Sequence, residues 1–91
     1  MDKKRYQVIV SGIVQGVGFR YATLKKANEL GITGWIKNRI DGKVETVIEG
    51  ENDSLKQMLS WLKKGPSQAN ITDTEVQELI YKDEYDSFKL M

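Results

Sequence analysis

Three glycines and one arginine fall within nine residues near the start of the chain, in the stretch GIVQGVGFR from Gly12 to Arg20. Glycine tolerates left-handed backbone conformations and lets main-chain amides come close to a ligand. The stretch follows an alternating apolar run and precedes a helical pattern, and the first amides of a helix have no partner within that helix. Amides that converge at such a corner can hold an anion.

Arg20 falls in the first turn of the predicted helix, where its planar and permanently charged fork suits two oxygens of a phosphoryl group. The known nucleotide-binding loops do not match, because no Gly-Lys-Ser/Thr sequence ends the stretch and Tyr21 stands where the dinucleotide motif needs its third glycine. Spacing alone leaves two interpretations open. The stretch is either an anion site or a tight turn followed by a solvated arginine.

The 91-residue chain contains no histidine and no cysteine. Without cysteine there is no disulfide, thiolate catalysis or thiolate-bound metal, and without either residue the commonest phosphoryl-accepting nucleophiles are missing. No pair of carboxylates has the spacing of metal ligands, and Asp41 and Asp53 are predicted to be turn and cap residues. We therefore expect no metal and no cofactor, and direct attack by water is the simplest reaction at such a site.

Charge and hydropathy restrict the partners. Fourteen basic and thirteen acidic residues leave a net charge of +1, so no overall field draws the chain to nucleic acid or to a membrane surface. The apolar run in MDKKRYQVIV is too short for a signal peptide or a membrane span. Trp35 and Trp61 are predicted to pack or to lie partly exposed rather than to stack on bases. We expect a cytoplasmic monomer that contacts neither nucleic acid nor membrane.

Hydrophobic periodicity predicts strands that alternate with two helices. The predicted strands cover Tyr6–Ser11, Ile32–Asn38, Lys43–Glu49, Ile71–Ile80 and Tyr85–Leu90, the last at an edge. The Asp41-Gly42 pair predicts a tight hairpin turn between the second strand and the third.

The first predicted helix runs from Phe19 to Leu30 and ends at Gly31, which suits a helix C-terminus. Asp53 is predicted to cap the second helix, and Gly65-Pro66 to end it. Its apolar stripe at i, i+3, i+4 and i+7 consists of Leu55, Met58, Leu59 and Leu62.

The resulting order is β-α-β-β-α-β with a short terminal strand. This order predicts an α+β protein, a ferredoxin-like split βαβ sandwich in which both helices cover one face of an antiparallel sheet. A single domain is expected over residues 1–91. The fold does not decide the function, so particular residues must.

Two stretches closely resemble sequences of the acylphosphatase family. GIVQGVGFR resembles the signature loop of that family, and GWIKNRIDGKVETVIEG, from Gly34 to Gly50, resembles its second signature at a fitting distance. The resemblance implies hydrolysis of the carboxyl-phosphate mixed anhydride of a small acyl phosphate, without metal or cofactor. The products implied are a carboxylate and inorganic phosphate, and the latter is also expected to inhibit.

The resemblance also implies roles for particular residues. Arg20 matches the arginine that binds the phosphate, and Asn38 matches the asparagine that orients the attacking water. Ile36 departs from the family, which usually has a smaller Val, Ala or Cys there, and this difference can alter core packing or the position of Asn38. The main-chain amides implied as the phosphate cradle are those of Gln15, Gly16, Val17, Gly18, Phe19 and Arg20.

The residues themselves are compatible with this chemistry. Asn38 cannot act as a base, but its carbonyl oxygen can accept a hydrogen bond from water. A carboxylate leaving group needs no general acid near neutral pH, and a phosphate oxygen of the substrate is the hypothetical acceptor of the water proton.

Two binding functions are the alternatives, a non-catalytic module for phosphate or acyl phosphate and a nucleic-acid-binding module on the same fold. Asn38 favours the enzyme, because a pure binder needs no group that orients water. Larger hydrogenase-maturation proteins have an N-terminal domain that resembles this motif, but the chain lacks zinc-finger cysteines and is expected to be free-standing.

Overall fold

The strands and helices follow the predicted order in the computed structural model, which describes residues 2–91. The strands are β1 (Lys3–Ile13), β2 (Thr33–Asn38), β3 (Val44–Glu51), β4 (Asn70–Leu79) and β5 (Phe88–Leu90). The helices are α1 (Phe19–Leu30) and α2 (Asn52–Lys64). Both helices share one buried hydrophobic cluster with the sheet, and the predicted split βαβ fold is confirmed.

One five-stranded sheet has the order β4-β1-β3-β2-β5. β1 is antiparallel to both of its neighbours and β2 is antiparallel to β3, whereas β2 and β5 are parallel. The sheet is therefore mixed, where the sequence predicted antiparallel pairing throughout. The chain leaves β4 at one edge and crosses to the other edge before β5 begins, and this crossing sends β5 in the same direction as β2.

The core consists of apolar side chains that alternate with polar ones along the strands and of an apolar stripe on each helix. Ile36 is completely buried in it, two residues before Asn38. Leu59, predicted to belong to the buried stripe of α2, is only partly buried beside the cluster. The buried members of this apolar cluster are Val8, Val10, Val14, Phe19, Ala27, Ile32, Ile36, Val44, Ile48, Leu55, Met58, Leu62 and Phe88.

The helix ends follow the sequence at three of four positions. α1 begins at Phe19 and ends where Gly31 adopts φ 70°, and α2 ends at Gly65. The predicted cap at Asp53 is wrong. β3 continues directly into α2, so Glu51, with extended backbone, takes the N-cap position. Asp53 lies in the first turn instead, where its negative charge faces the positive end of the helix dipole.

The predicted strand over Tyr85–Leu90 forms only from Phe88 onward. Its first residue is engaged elsewhere, because the Tyr85 hydroxyl accepts hydrogen bonds from Arg5 Nη2 at 2.9 Å and from Trp35 Nε1 at 3.1 Å. Arg5 also forms an ion pair of 3.2 Å with the buried carboxylate of Glu49. These contacts fasten the segment before β5 to the sheet face that the helices leave open.

The helices of residues 2–91 are too short or too polar to cross a membrane.

Substitution of Gly34 tests how closely the main chain of β2 packs against that of β3. Gly34 adopts φ 139°, and a Cβ there would collide with the main-chain oxygen of Val47, so Gly34→Ala should lower the free energy of unfolding by about 2 kcal/mol or more. Gly50→Ala is the matched control, because Gly50 has ordinary backbone and its nearest neighbour is Ile32 Cγ1 at 3.5 Å. We expect it to change that free energy by less than about 0.5 kcal/mol. Urea denaturation measures both, and equal losses would contradict this interpretation.

Candidate active site

The ends of three strands meet where α1 begins. Val10 of β1 pairs with Val44 of β3, and Val44 pairs with Asn38 of β2. Directly paired residues lie on the same face of a sheet, so Asn38 lies on the face that carries the helices. Two strand spacings, about 10 Å, therefore separate Asn38 from Val10, three residues before β1 ends and the chain enters the glycine loop.

The glycine loop is residues 14–18, between β1 and α1. Gly16 and Gly18 both adopt φ 76°, a left-handed conformation that side chains disfavour, and a Cβ on either would meet open space. The positive φ angle, rather than a lack of space for a side chain, therefore requires glycine at both positions. Successive amides in such a bent segment form a concave anion-binding surface.

Main-chain amides of this loop are available to a ligand. Gly18 is the N-cap residue of α1 and supplies no side-chain cap, and the first turn contains no acidic residue that would compete with an anion. The amides of residues 15–20 donate to no other backbone group among residues 2–91. The positive end of the helix dipole adds to the attraction.

Side chains that are buried in the core hold the glycine loop in place. Val14 and Phe19 are each 1% exposed, and Val17 packs against the core cluster. The Phe19 ring lies 6.0 Å from that of Trp61 in α2, a tilted aromatic contact. This packing holds the loop in its bent conformation without help from a ligand.

Gln15 joins the loop to the turn between β2 and β3. Its side-chain Nε2 donates to the main-chain oxygens of Arg39 and Lys43, at 2.8 and 2.9 Å. The sequence assigned only the main-chain amide of Gln15 to the site. Its side chain turns towards the hairpin and fastens the backbone just beyond Asn38 to the loop.

The hairpin turn is itself rigid. Asp41 Oδ1 accepts a hydrogen bond from the Lys43 amide at 3.1 Å, and Asp41 Oδ2 pairs with Arg39 at 3.1 Å. The hydrogen bond from Lys43, aided by the charge of Arg39, lowers the pKa of the exposed Asp41 carboxyl group below its usual value. Asp41 is thus a turn residue, as predicted.

Arg20 is held by a contact that the sequence did not reveal. Its Nη1 donates to the main-chain oxygen of Met91 at 3.0 Å, and the Met91 amide donates to the main-chain oxygen of Ile36 at 2.8 Å. The guanidinium is thereby tied to β2, which also carries Asn38. A guanidinium has five N–H donors, so this contact leaves most of them for a ligand.

These elements enclose a cavity of about 170 Å³. Of the predicted site residues it brings together Gly16, Gly18, Phe19, Arg20 and Asn38. Gln15 and Val17 do not line it, because their side chains contact the hairpin turn and the core. Three lining residues had no role in the sequence prediction, namely Val14, Tyr21 and Leu90.

The cavity offers a fixed positive charge and an amide, but no carboxylate among its lining residues in the described part of the chain. No group of three acidic residues capable of holding a metal ion occurs among residues 2–91. The site can therefore bind an anion and orient a polar molecule beside it. It provides no side chain suited to take up a proton near neutral pH.

Comparison with known proteins points to the same family that the two sequence motifs resemble. The Acylphosphatase family model matches residues 6–90. A relative from Methylococcus capsulatus, named Acylphosphatase, is 42% identical over 88 residues, which cover 97% of this chain and 96% of the relative.

Solved structures of acylphosphatases are also similar. That of the protein from Coxiella burnetii has a TM-score of 0.94 and 41% identity, covering 99% of this chain and 94% of that chain. That of the protein from Bacillus subtilis has a TM-score of 0.93 and 36% identity, covering 97% and 98%. The predicted fold, family and enzyme class are thus confirmed, and the chain belongs to the acylphosphatase family of enzymes.

Proposed function

We propose that the chain hydrolyses acyl phosphates by direct attack of water on phosphorus, without metal or cofactor, and that Arg20, Asn38 and the amides of residues 15–20 carry the reaction. One observation supports this proposal above the others. A single cavity brings an anion cradle and a fixed arginine together with an exposed asparagine amide, and its lining residues, all within residues 2–91, include no carboxylate.

The cradle and Arg20 stabilise the phosphoryl group. In phosphoryl transfer, negative charge is spread over the equatorial oxygens of the transition state, and catalysis consists mainly of positioning and electrostatic stabilisation. The loop amides and the guanidinium are fixed by packing and by the Met91 contact before substrate arrives. They therefore need little reorganisation during the reaction.

Asn38 orients the water. Its carbonyl oxygen accepts a hydrogen bond from the nucleophile, which then approaches phosphorus in line with the leaving group. The water oxygen bonds to phosphorus as the bond from phosphorus to the carboxyl oxygen breaks, and the carboxylate leaves with the electron pair. One water proton passes to a phosphate oxygen, because none of the described residues that line the cavity is a carboxylate that could accept it.

The two binding modules remain less favoured alternatives. A module that only bound phosphate would have no use for a water-orienting asparagine such as Asn38 in the lining of the cavity. A nucleic-acid-binding module needs an accessible basic surface, but Arg5 on the open sheet face is paired with Glu49 and Glu84. One chain supplies every group that the proposal uses, so we propose a monomer as the active form. The cytoplasmic location stays a prediction.

Arg20→Ala should lower kcat/KM for an acyl phosphate by about 100-fold or more, because it removes the charged donor nearest the cradle. Inhibition by inorganic phosphate should weaken in parallel. Arg20→Lys should recover little of either, because lysine keeps the charge but loses the planar fork. Steady-state kinetics after removal of divalent cations measures both constants.

Lys37→Ala is the control for Arg20. Lys37 is also cationic and precedes Asn38, but it lies over the Trp35 ring and near Glu45, outside the cavity lining. We expect both constants to change by less than about threefold in this variant. Unchanged inhibition by phosphate in Arg20→Ala would rule out the proposed role of the guanidinium.

Asn38→Ala should separate binding from chemistry. We expect kcat to fall by about 100-fold, because the group that aims the water is lost, while the inhibition constant of phosphate stays nearly constant. Asn38 is exposed, so the thermal midpoint should also stay nearly constant.

Two results would argue against this role for Asn38. Near-normal kcat in Asn38→Ala would make the asparagine a structural residue. A loss of phosphate affinity in proportion to the loss of rate would place its amide in the cradle instead. Circular dichroism of the variant confirms that the fold is intact in either case.

A further inference from the structure

The Gln15 side chain directly links the two loops that carry the proposed site. Its Nε2 donates to the main-chain oxygen of Arg39 at 2.8 Å and to that of Lys43 at 2.9 Å. Only the NH2 end of an amide can satisfy two carbonyl oxygens, so these contacts determine which way the amide points. Arg39 directly follows Asn38 in the chain. The link therefore joins the start of the phosphate cradle to the residue beside the amide that orients water.

The two acceptor oxygens lie at the base of the hairpin turn. Asn38 belongs to the last residue pair between β2 and β3. Beyond that pair, the Arg39 amide donates to the Lys43 oxygen at 2.8 Å, and the Gly42 amide donates to the Arg39 oxygen at 3.2 Å. Gln15 thus bonds to the same two oxygens that close the turn. Its amide holds the backbone at the point where β2 ends.

The two loops are fixed by different parts of the fold. The glycine loop is held by the packing of Val14, Val17 and Phe19 against the core. Asn38 is exposed and is the last residue of β2, and the ends of elements open more readily than their centres. An error of about 1 Å in the position of a reacting group can cost roughly 100-fold in rate. The distance between the two loops therefore needs a contact that spans them.

We propose that the Gln15 side chain is a positioning residue that sets the distance between the bound phosphoryl group and the water held by Asn38. The inference rests on the proposed hydrolysis of acyl phosphates and adds to it a side chain that lies outside the lining of the cavity. Core packing already bends the glycine loop, so loss of the Gln15 donors should leave the cradle in place while the end of β2 shifts. The rate of the chemical step should therefore suffer more than phosphate binding.

Gln15→Met tests this role, because it keeps the length of the side chain and its lack of charge but removes both N–H donors. The Arg39 and Lys43 oxygens keep their main-chain partners in the turn, so the variant should fold. We expect kcat for benzoyl phosphate to fall by about tenfold, while the inhibition constant of inorganic phosphate changes by less than about threefold. Steady-state kinetics measures both, and circular dichroism checks the fold.

Gln7→Met is the matched control, because it makes the same chemical change elsewhere on β1. The Gln7 Nε2 donates to Glu45 Oε2 at 2.7 Å. Gln7 precedes the buried Val8, so it lies on the sheet face away from the helices and from the cavity. We expect both kcat and the inhibition constant to stay within about twofold of the wild type in this variant.

A double substitution shows whether Gln15 acts through Asn38. In the Asn38→Ala background, Gln15→Met should lower kcat by less than about twofold, because no amide remains to be misplaced. Equal fold losses in the two backgrounds would overturn the proposed role. A loss of phosphate affinity in proportion to the loss of kcat would also overturn it, because the side chain would then support the cradle instead.

A shorter amide gives a second test that holds even if Gln15→Met does not fold. Gln15→Asn keeps the donors but is one methylene too short to reach both oxygens, so it should lose kcat in the same way. Hydrolysis by the wild type with unchanged kcat in the folded Gln15 variants would overturn the role of Gln15 alone. If the wild type hydrolyses no acyl phosphate, the proposed function fails and the role of Gln15 fails with it.

Discussion

The register that joins β1, β3 and β2 is the constraint on which the site depends. It aligns Val10, Val44 and Asn38 in one row across three strands, with the first two completely buried. Side chains alternate faces along a strand, so a slip of one residue in β2 would move Asn38 to the face away from α1. The burial of Ile36 and the close approach of Gly34 to β3 oppose that slip. Core packing therefore sets the position of a polar side chain that lies outside the core.

The site also requires that the backbone of the glycine loop is held in its bent conformation. A phosphate cradle made of main-chain amides works only if the backbone is already bent, since bending it on binding would consume the binding free energy. Here Val17 holds the middle of the loop to the core, and the Gln15 side chain holds its start to the hairpin turn. The exposed glycines Gly16 and Gly18 are thus kept in left-handed conformations by their neighbours rather than by contacts of their own.

The sequence predicts correctly those structural features that neighbouring residues in the chain determine. Helical spacing and Gly31 fixed both ends of α1 correctly, and the Asp41-Gly42 pair located the hairpin turn. It failed at the N-cap of α2, because a strand that continues directly into a helix leaves no position for a separate cap residue. Glu51 therefore takes that position.

The remaining differences arise from distant contacts. The residue that holds Arg20 is 71 positions away, and the Gln15 side chain contacts the turn 24 and 28 positions away. No pattern within a window of the sequence encodes such partners. The direction of β5 likewise depends on where the chain crosses the sheet. The motif residues around the cavity were predictable because a family resemblance carried them, whereas Tyr21 and Leu90 emerged only from the geometry.

In the proposed mechanism, water attacks phosphorus rather than the acyl carbon. Hydrolysis of an acyl phosphate by the wild-type protein in water enriched in oxygen-18, followed by mass spectrometry of both products, distinguishes these two reactions. Attack on phosphorus puts one labelled oxygen into inorganic phosphate and none into the carboxylate, and this is the expected result. Label recovered in the carboxylate would show attack on the carbonyl carbon and would contradict the roles proposed for the cradle, Arg20 and Asn38.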